Sequence, residues 1–388
     1  MTPAPIDLDD LLEQSRQATG LHDFGGDDLF ESLRVLTAAL NNEAHLTPEG
    51  AAGKRAALLR GLGNRLKIVQ ALKDQPAIAD EKIAGPLVIV GLPRSGTTKL
   101  HRIIAADPTM QSLPLWKILN PLPLGETPPG QKDPRIGVAE AFEAAMRETQ
   151  PALHAAHPML AREPDEDVFA LEFTGRGYIN CSAFRTPSYQ AWLDAQNFEE
   201  WYAWLGRLLQ VIQYFDHGAG RPWVLKAPQH LGFLPLLFAR FPNATVIHCH
   251  RDPQICIASF ATMLLAARRS TSSQVDVKEV GQYAVHFYEK LMQRYLQDRA
   301  PLESTHRFID ISYDDIVHHG VQTVRQIYRA ASLEMTEDAA AAIHAWETAN
   351  SQHKNGRHSY HLADAGLTHD DVSQAFAPYS ARFAKYLS

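Results

Sequence analysis

Cysteine is scarce in this chain of 388 residues: there are three, Cys181, Cys249 and Cys256, with no Cys-x-x-Cys spacing among them. Neither a disulfide framework nor a structural zinc site is expected, and reduced thiols point to a cytoplasmic compartment. Positive charge is also in short supply, with 37 Lys and Arg against 44 Asp and Glu and no long basic run. The electrostatic footprint of a general nucleic-acid binder is therefore missing, and any useful positive charge must be local. No apolar run approaches the length of a membrane span. The opening residues, MTPAPIDLDDLLEQ, are acidic and helix-like, without the basic and apolar regions of a secretory signal.

What is present reads as an α/β chain of one large domain or two smaller ones. From residue 7 to 76, apolar positions such as Leu29, Leu33 and Leu36, then Leu58, Leu62, Leu66 and Val69, recur at helical spacing. This predicts an N-terminal helical region over 1–84, followed by a second region over 85–388. After Gly85-Pro86 the pattern changes to short continuous apolar runs: Leu87–Val90, Trp223–Leu225, Ala244–Cys249 and Phe308–Ile311. Such runs are the signature of strands buried on both faces, and helical segments follow most of them. The expected fold is a P-loop-like parallel sheet flanked by helices, with a helical, aromatic-rich insertion at 121–220. That insertion carries Phe169, Phe173, Tyr178, Tyr189, Trp192, Trp201, Tyr202 and Trp204. Such density serves a core, and it is also the best material in the chain for an apolar pocket.

The most informative motif is Gly91-Leu92-Pro93-Arg94-Ser95-Gly96-Thr97-Thr98, between a strand and a helix expected over Thr97–Ala106. Glycines let backbone curl around an anion, and a helix N-terminus attracts it. The hydroxyls of Ser95, Thr97 and Thr98 supply donors, and Arg94 adds a permanently charged fork. A loop built for nucleoside triphosphates would place Lys at position 97, where this chain has Thr. A second anion pocket is expected where Arg251 closes a buried strand, Pro253 opens a helix and Ser259 follows in its second turn.

Pro93 to Thr98 resembles the phosphosulfate loop of sulfotransferases that use 3′-phosphoadenosine 5′-phosphosulfate (PAPS). The likeness runs from about Gly85 to Tyr360 and is nearest the bacterial-type branch with extra N-terminal helices. It implies that Arg251 and Ser259 hold the 3′-phosphate of the nucleotide and that Tyr313, in Tyr313-Asp314-Asp315, contacts adenine. It implies also that Arg357, in the basic run Lys354–His358, closes over the same phosphate. Lys226 matches the family lysine that assists the bridging oxygen, and His230 the histidine that takes the acceptor proton, with two extra residues between them here. Lys99 stands where many relatives have a tryptophan that stacks on the base, so the aromatic partner of adenine is unassigned.

Sulfuryl transfer needs an aligned, charge-stabilised in-line displacement, which loop amides, Arg94 and Lys226 supply without a metal. No metal is expected, and no Mg²⁺-binding carboxylate is evident. His248 and His250 lie two apart on a strand, facing one side, and spacing gives them no third ligand. For the base, His157 and Glu166 in the insertion stand as alternatives to His230. The implied acceptor is a small, largely apolar molecule with a hydroxyl, such as a steroid, phenol or lipid-like alcohol. A homo-oligomer is compatible with the sequence. Two other classes stay open: a P-loop kinase or similar phosphotransferase, and a non-catalytic nucleotide-binding protein.

Overall fold

A computed structural model describes residues 4–128, 130–350 and 361–387. Backbone packing divides the chain into two compact units. One comprises 1–82, 113–219 and 264–275; the other comprises 83–112, 220–263 and 276–388.

The first unit is helical. It begins with α1 (Leu8–Thr19), α2 (Asp28–Glu43) and α3 (Pro48–Asp74). Local chemistry sets their ends. The Asp7 carboxylate accepts the Asp10 N–H at the start of α1, and Gly20 ends that helix in the left-handed region at φ 68°. Thr47 caps α3 by accepting the Gly50 N–H, and Pro48 takes the first helical position, where a missing N–H costs nothing. The aromatic stretch packs within the same unit. Trp204 lies edge-on to Phe173 with ring centroids 5.7 Å apart, and the fully buried Arg65 rests 3.6 Å above the Trp204 ring. Arg65 anchors this layer by donating from Nε to the Phe24 carbonyl at 2.6 Å.

The second unit holds a four-stranded parallel sheet in the order β2-β1-β3-β4. The strands are β1 (Leu87–Gly91), β2 (Val224–Lys226), β3 (Thr245–His250) and β4 (Arg307–Ser312). β1 and β3 are buried at every residue, which is why they read as unbroken apolar runs; full burial contributes on the order of 1.5–3 kcal/mol per large aliphatic side chain. The edges differ: β2 is only three residues long, and β4 is buried only at its Ile311-Ser312 end. Trp223 stands just before β2 and is bridged to Gln111. Helix α4 (Thr97–Ala105) covers the sheet with Leu100, Ile103 and Ile104, all fully buried. These join Ile89, Val224 and Ile247 in one core.

The strand order carries the functional consequence. The chain leaves β1 to form β2 on one side and then β3 on the other, so the crossover direction reverses at the C-terminal ends of β1 and β3. Ligands of open parallel sheets bind at such a point. Register places Gly91 opposite Cys249, Ile89 opposite Lys226 and His250 opposite Ser312, so these strand ends lie along one edge of the sheet.

Candidate active site

The loop after β1 is held in backbone conformations that need glycine or a reason. Gly91 has φ 151°, and a Cβ there would lie 2.6 Å from the Cys249 carbonyl oxygen. Gly96 has φ 90°, and its added Cβ would press on Tyr313 and Ile316 at 3.2 Å. Arg94, with a side chain, sits at φ 70° in the same left-handed region, a conformation that costs a residue with a Cβ about 1–2 kcal/mol. Strain of this kind collects where a ligand is held. The first intrahelical bond of α4 runs from the Leu100 N–H to the Gly96 carbonyl at 3.0 Å. The amides of Thr97, Thr98 and Lys99 therefore precede the helical ladder, at its positive end.

The Ser95 hydroxyl, fully buried, donates to the Leu92 carbonyl at 2.7 Å and braces the turn. Thr97 and Thr98 remain at the helix entrance. Lys99 points away from it, donating to the Val317 carbonyl at 2.9 Å beside Glu347.

Arg251, next after β3, reaches back to this loop: its Nη1 donates to the Arg94 carbonyl at 2.8 Å. Its guanidinium also lies 3.7 Å from the centre of the Tyr313 ring, in stacking contact. Asp252 starts the following helix, Pro253–Thr271, with its side chain accepting the Gln254 N–H at 2.9 Å and Pro253 at the first position. Ser259 is nearly fully buried two turns along. Arg94, Arg251 and Ser259 line one cavity of about 580 Å³, whose other wall includes Ile255, Leu362 and Leu367. The structure thus brings together Arg94, Gly96, Arg251, Ser259 and Tyr313. Arg357 lies outside the described residues.

Lys226 ends β2, fully buried, and is paired in register with Ile89, two residues before Gly91. Its charge is felt at Cys249: burial raises that thiol well above its ordinary value while Lys226 pulls it down. His230 is also fully buried. A short 3-10 turn, Pro228–Gly232, follows β2 and precedes the helix Leu234–Arg240. Pro228 opens that turn and the His230 N–H donates to the Ala227 carbonyl at 3.2 Å, so His230 is set by the turn, not by a helix start.

The alternative bases sit in the helical unit. His157 Nε2 and Asp165 Oδ1 are 3.2 Å apart, and the ring of Phe169 is edge-on at 5.7 Å. Glu166 donates its N–H to the same Asp165 oxygen at 2.8 Å and precedes the short helix Asp167–Ala170.

Sequence spacing gave His248 and His250 no third partner, and the structure supplies one. Asp310 is opposite His248 in β4, and ligand-type atoms of the three residues lie within 4.8 Å of one another. All the polar atoms of Asp310 and His250 are engaged, however. Arg299 grips Asp310 with two bonds of 2.6 and 2.7 Å, His250 Nε2 meets it at 2.9 Å, and His250 Nδ1 meets the Tyr379 hydroxyl at 3.1 Å. Burial opposes ionisation of Asp310, yet Arg299 and His250 hold its carboxyl well below the ordinary range. Only knowledge of the β3–β4 register would have revealed this trio in the sequence.

A four-stranded parallel sheet flanked by helices, with the loops after β1 and β3 in contact at its switch point, is a mixed α/β fold of the kind that holds ligands at its strand ends. The pattern of the sulfotransferase family matches residues 86–338, and the chain belongs to that family. The crystal structure of sulfotransferase STF1 from Mycobacterium tuberculosis H37Rv superposes with a TM-score of 0.83 at 30% identity, covering 96% of this chain and 98% of that one. For STF9 from Mycobacterium avium the TM-score is 0.86 at 26% identity, covering 99% and 97%. The omega-hydroxy-beta-dihydromenaquinone-9 sulfotransferase Stf3, from Mycobacterium bovis and Mycobacterium tuberculosis, is 27% identical over 267 residues. The match covers 66% of this chain and 65% of the length of those relatives.

Proposed function

We propose that this chain transfers a sulfuryl group from PAPS to a hydroxyl on an apolar acceptor. The observation that carries the reading is the bond from Arg251 to the Arg94 carbonyl, which joins two anion-binding loops across adjacent strands. A nucleotide with phosphates at both its 5′ and 3′ positions suits such a pair of loops better than ATP, whose charge lies at one end. Thr97 at the position of a triphosphate loop's lysine argues the same way.

In this reading the Thr97 and Thr98 amides and hydroxyls, with Arg94, hold the 5′-phosphosulfate. Arg251 and Ser259 receive the 3′-phosphate, and Tyr313 borders the nucleotide. Lys226 neutralises charge gathering on the bridging oxygen as the sulfur–oxygen bond to the donor breaks. The acceptor oxygen attacks in line, its proton passes to His230, and the products are a sulfate ester and adenosine 3′,5′-bisphosphate. No metal has a step in this scheme. The name of the Stf3 relatives specifies a lipid-like alcohol acceptor, so a long apolar alcohol is favoured over a carbohydrate. Incubation with radiolabelled PAPS and a panel of steroid, phenol, isoprenoid-alcohol and sugar acceptors tests this. Label should enter an apolar acceptor; label only in sugars would overturn the acceptor assignment.

A further inference from the structure

We propose that a cavity in the helical unit binds a small aromatic carboxylate of the benzoate class, with Arg60 of α3 as its anion partner. The proposal does not rest on the PAPS reading, since every residue lining the cavity belongs to the first unit.

The space follows from what α3 places on one face. Ala57, Arg60, Gly61 and Asn64 recur at i, i+3, i+4 and i+7, so they share a side of the helix, and all four line the cavity. Ala57 brings only a methyl group and Gly61 no side chain, where a larger residue would fill the gap. The remaining walls include Ile118, Phe142, Met159, Phe169 and Phe173. The cavity measures about 180 Å³. An apolar cavity of roughly 150 Å³, engineered into another protein, holds one benzene ring. A single substituted ring therefore suits this one.

The polar groups then select among molecules of that size. Three polar residues line the cavity: Arg60, Asn64 and Glu172. Asn64 Nδ2 donates to the Leu119 carbonyl at 3.0 Å, and Glu172 Oε1 lies 3.3 Å from the Lys54 ammonium. The half-buried Arg60 guanidinium, by contrast, has no hydrogen-bond or ion-pair partner among the described residues; it lies 5.7 Å from the centre of the Phe142 ring. Burial lowers the Arg60 guanidinium from its ordinary value, and Glu172 pulls it back up. Two cations, Arg60 and Lys54, thus share one carboxylate, and one positive charge is left beside apolar walls. A monoanion balances it, and a carboxylate accepts two parallel N–H bonds from the guanidinium fork. A neutral arene would leave those donors unpaired, and a small hydrophilic anion would leave the phenylalanine walls facing water. An aromatic carboxylate satisfies both.

Three probes are titrated into the full chain by calorimetry: benzoate, benzyl alcohol, which keeps the ring without the charge, and acetate, which keeps the charge without the ring. Benzoate should bind saturably, at least about tenfold more tightly than either of the others. Arg60→Met, which keeps the apolar stem, should weaken benzoate by about tenfold or more and benzyl alcohol by less than about twofold. Ala57→Leu keeps the guanidinium and fills the space, so it should weaken both ring compounds. A cooperative urea transition shows that each variant folds; where Arg60→Met does not, Ala57→Leu with the three probes decides. Absence of saturable benzoate binding would overturn the proposal. So would unchanged benzoate affinity in either folded variant, which places the probe elsewhere, or an affinity for acetate equal to that for benzoate.

Discussion

At the scale of single residues, Arg94 is the most constrained position in the loop. It holds a left-handed backbone at φ 70° although it carries a side chain, and its carbonyl is committed to Arg251. Arg94→Ala and Thr97→Ala should each lower kcat/KM by the equivalent of roughly 2–4 kcal/mol, the loss seen when a preorganised donor to developing charge is removed. Near-normal turnover in both variants would take the loop out of donor binding. His230 is the second residue to test. His230→Gln, assayed across pH, should reduce turnover about a hundredfold while nucleotide affinity persists, as lost general-base catalysis requires. If turnover hardly changes, the base is sought at His157 or Glu166, where His157→Ala and Glu166→Gln are the variants to make. The sequence made the loop, Arg251, Ser259 and Tyr313 visible because each stands in a motif whose chemistry is local. It showed nothing of Tyr379, since a single tyrosine 129 positions from its histidine partner leaves no local pattern.

At the scale of elements, the strands were legible because strands buried on both faces leave unbroken apolar runs, and all four expected runs lie in or beside observed strands. Their register was not legible, because it depends on pairing across many residues. That is why His248 and His250 stood in the sequence without Asp310. This ladder also sets a pH dependence. Burial lowers the imidazoles of both His248 and His250, so both stay neutral in the folded chain at pH values where they would take protons in the unfolded one. The sign follows: above the unfolded value near 6.5 neither state binds the protons, and below it the unfolded chain binds them first. Stability should fall as pH drops below about 6.5, by up to about 1.4 kcal/mol per pH unit for each histidine. Among the described residues neither ring nitrogen of His248 has a hydrogen-bond partner, which makes it the simpler one to remove. Urea titrations between pH 7.5 and 5.5 should show a shallower decline in His248→Phe than in the parent; parallel declines would show that His248 titrates alike in both states.

At the scale of the whole molecule, the family pattern stops short of the N-terminal helices, matching residues 86–338, while the superposition on STF1 takes in 96% of the chain. Helical periodicity read residues 7 to 76 as helical, and α1 to α3 lie within that stretch. It did not disclose that they share a compact unit with residues 113–219, because the contacts responsible are distant in sequence, as in the bond from the Ser32 hydroxyl to the Thr174 carbonyl at 3.3 Å across 142 positions. The sheet unit, by contrast, brings the loops after β1 and β3 together at one switch point, and the proposed donor rests on the chemistry of those loops. Which nucleotide the chain binds separates sulfuryl transfer from ATP chemistry. Thermal unfolding with adenosine 3′,5′-bisphosphate, set against ATP with Mg²⁺, decides it. At a ligand concentration one hundred times its Kd the bisphosphate should add about 2.7 kcal/mol of stability and raise Tm by several degrees, with no comparable shift from ATP. A shift with ATP and Mg²⁺ and none with the bisphosphate would contradict it.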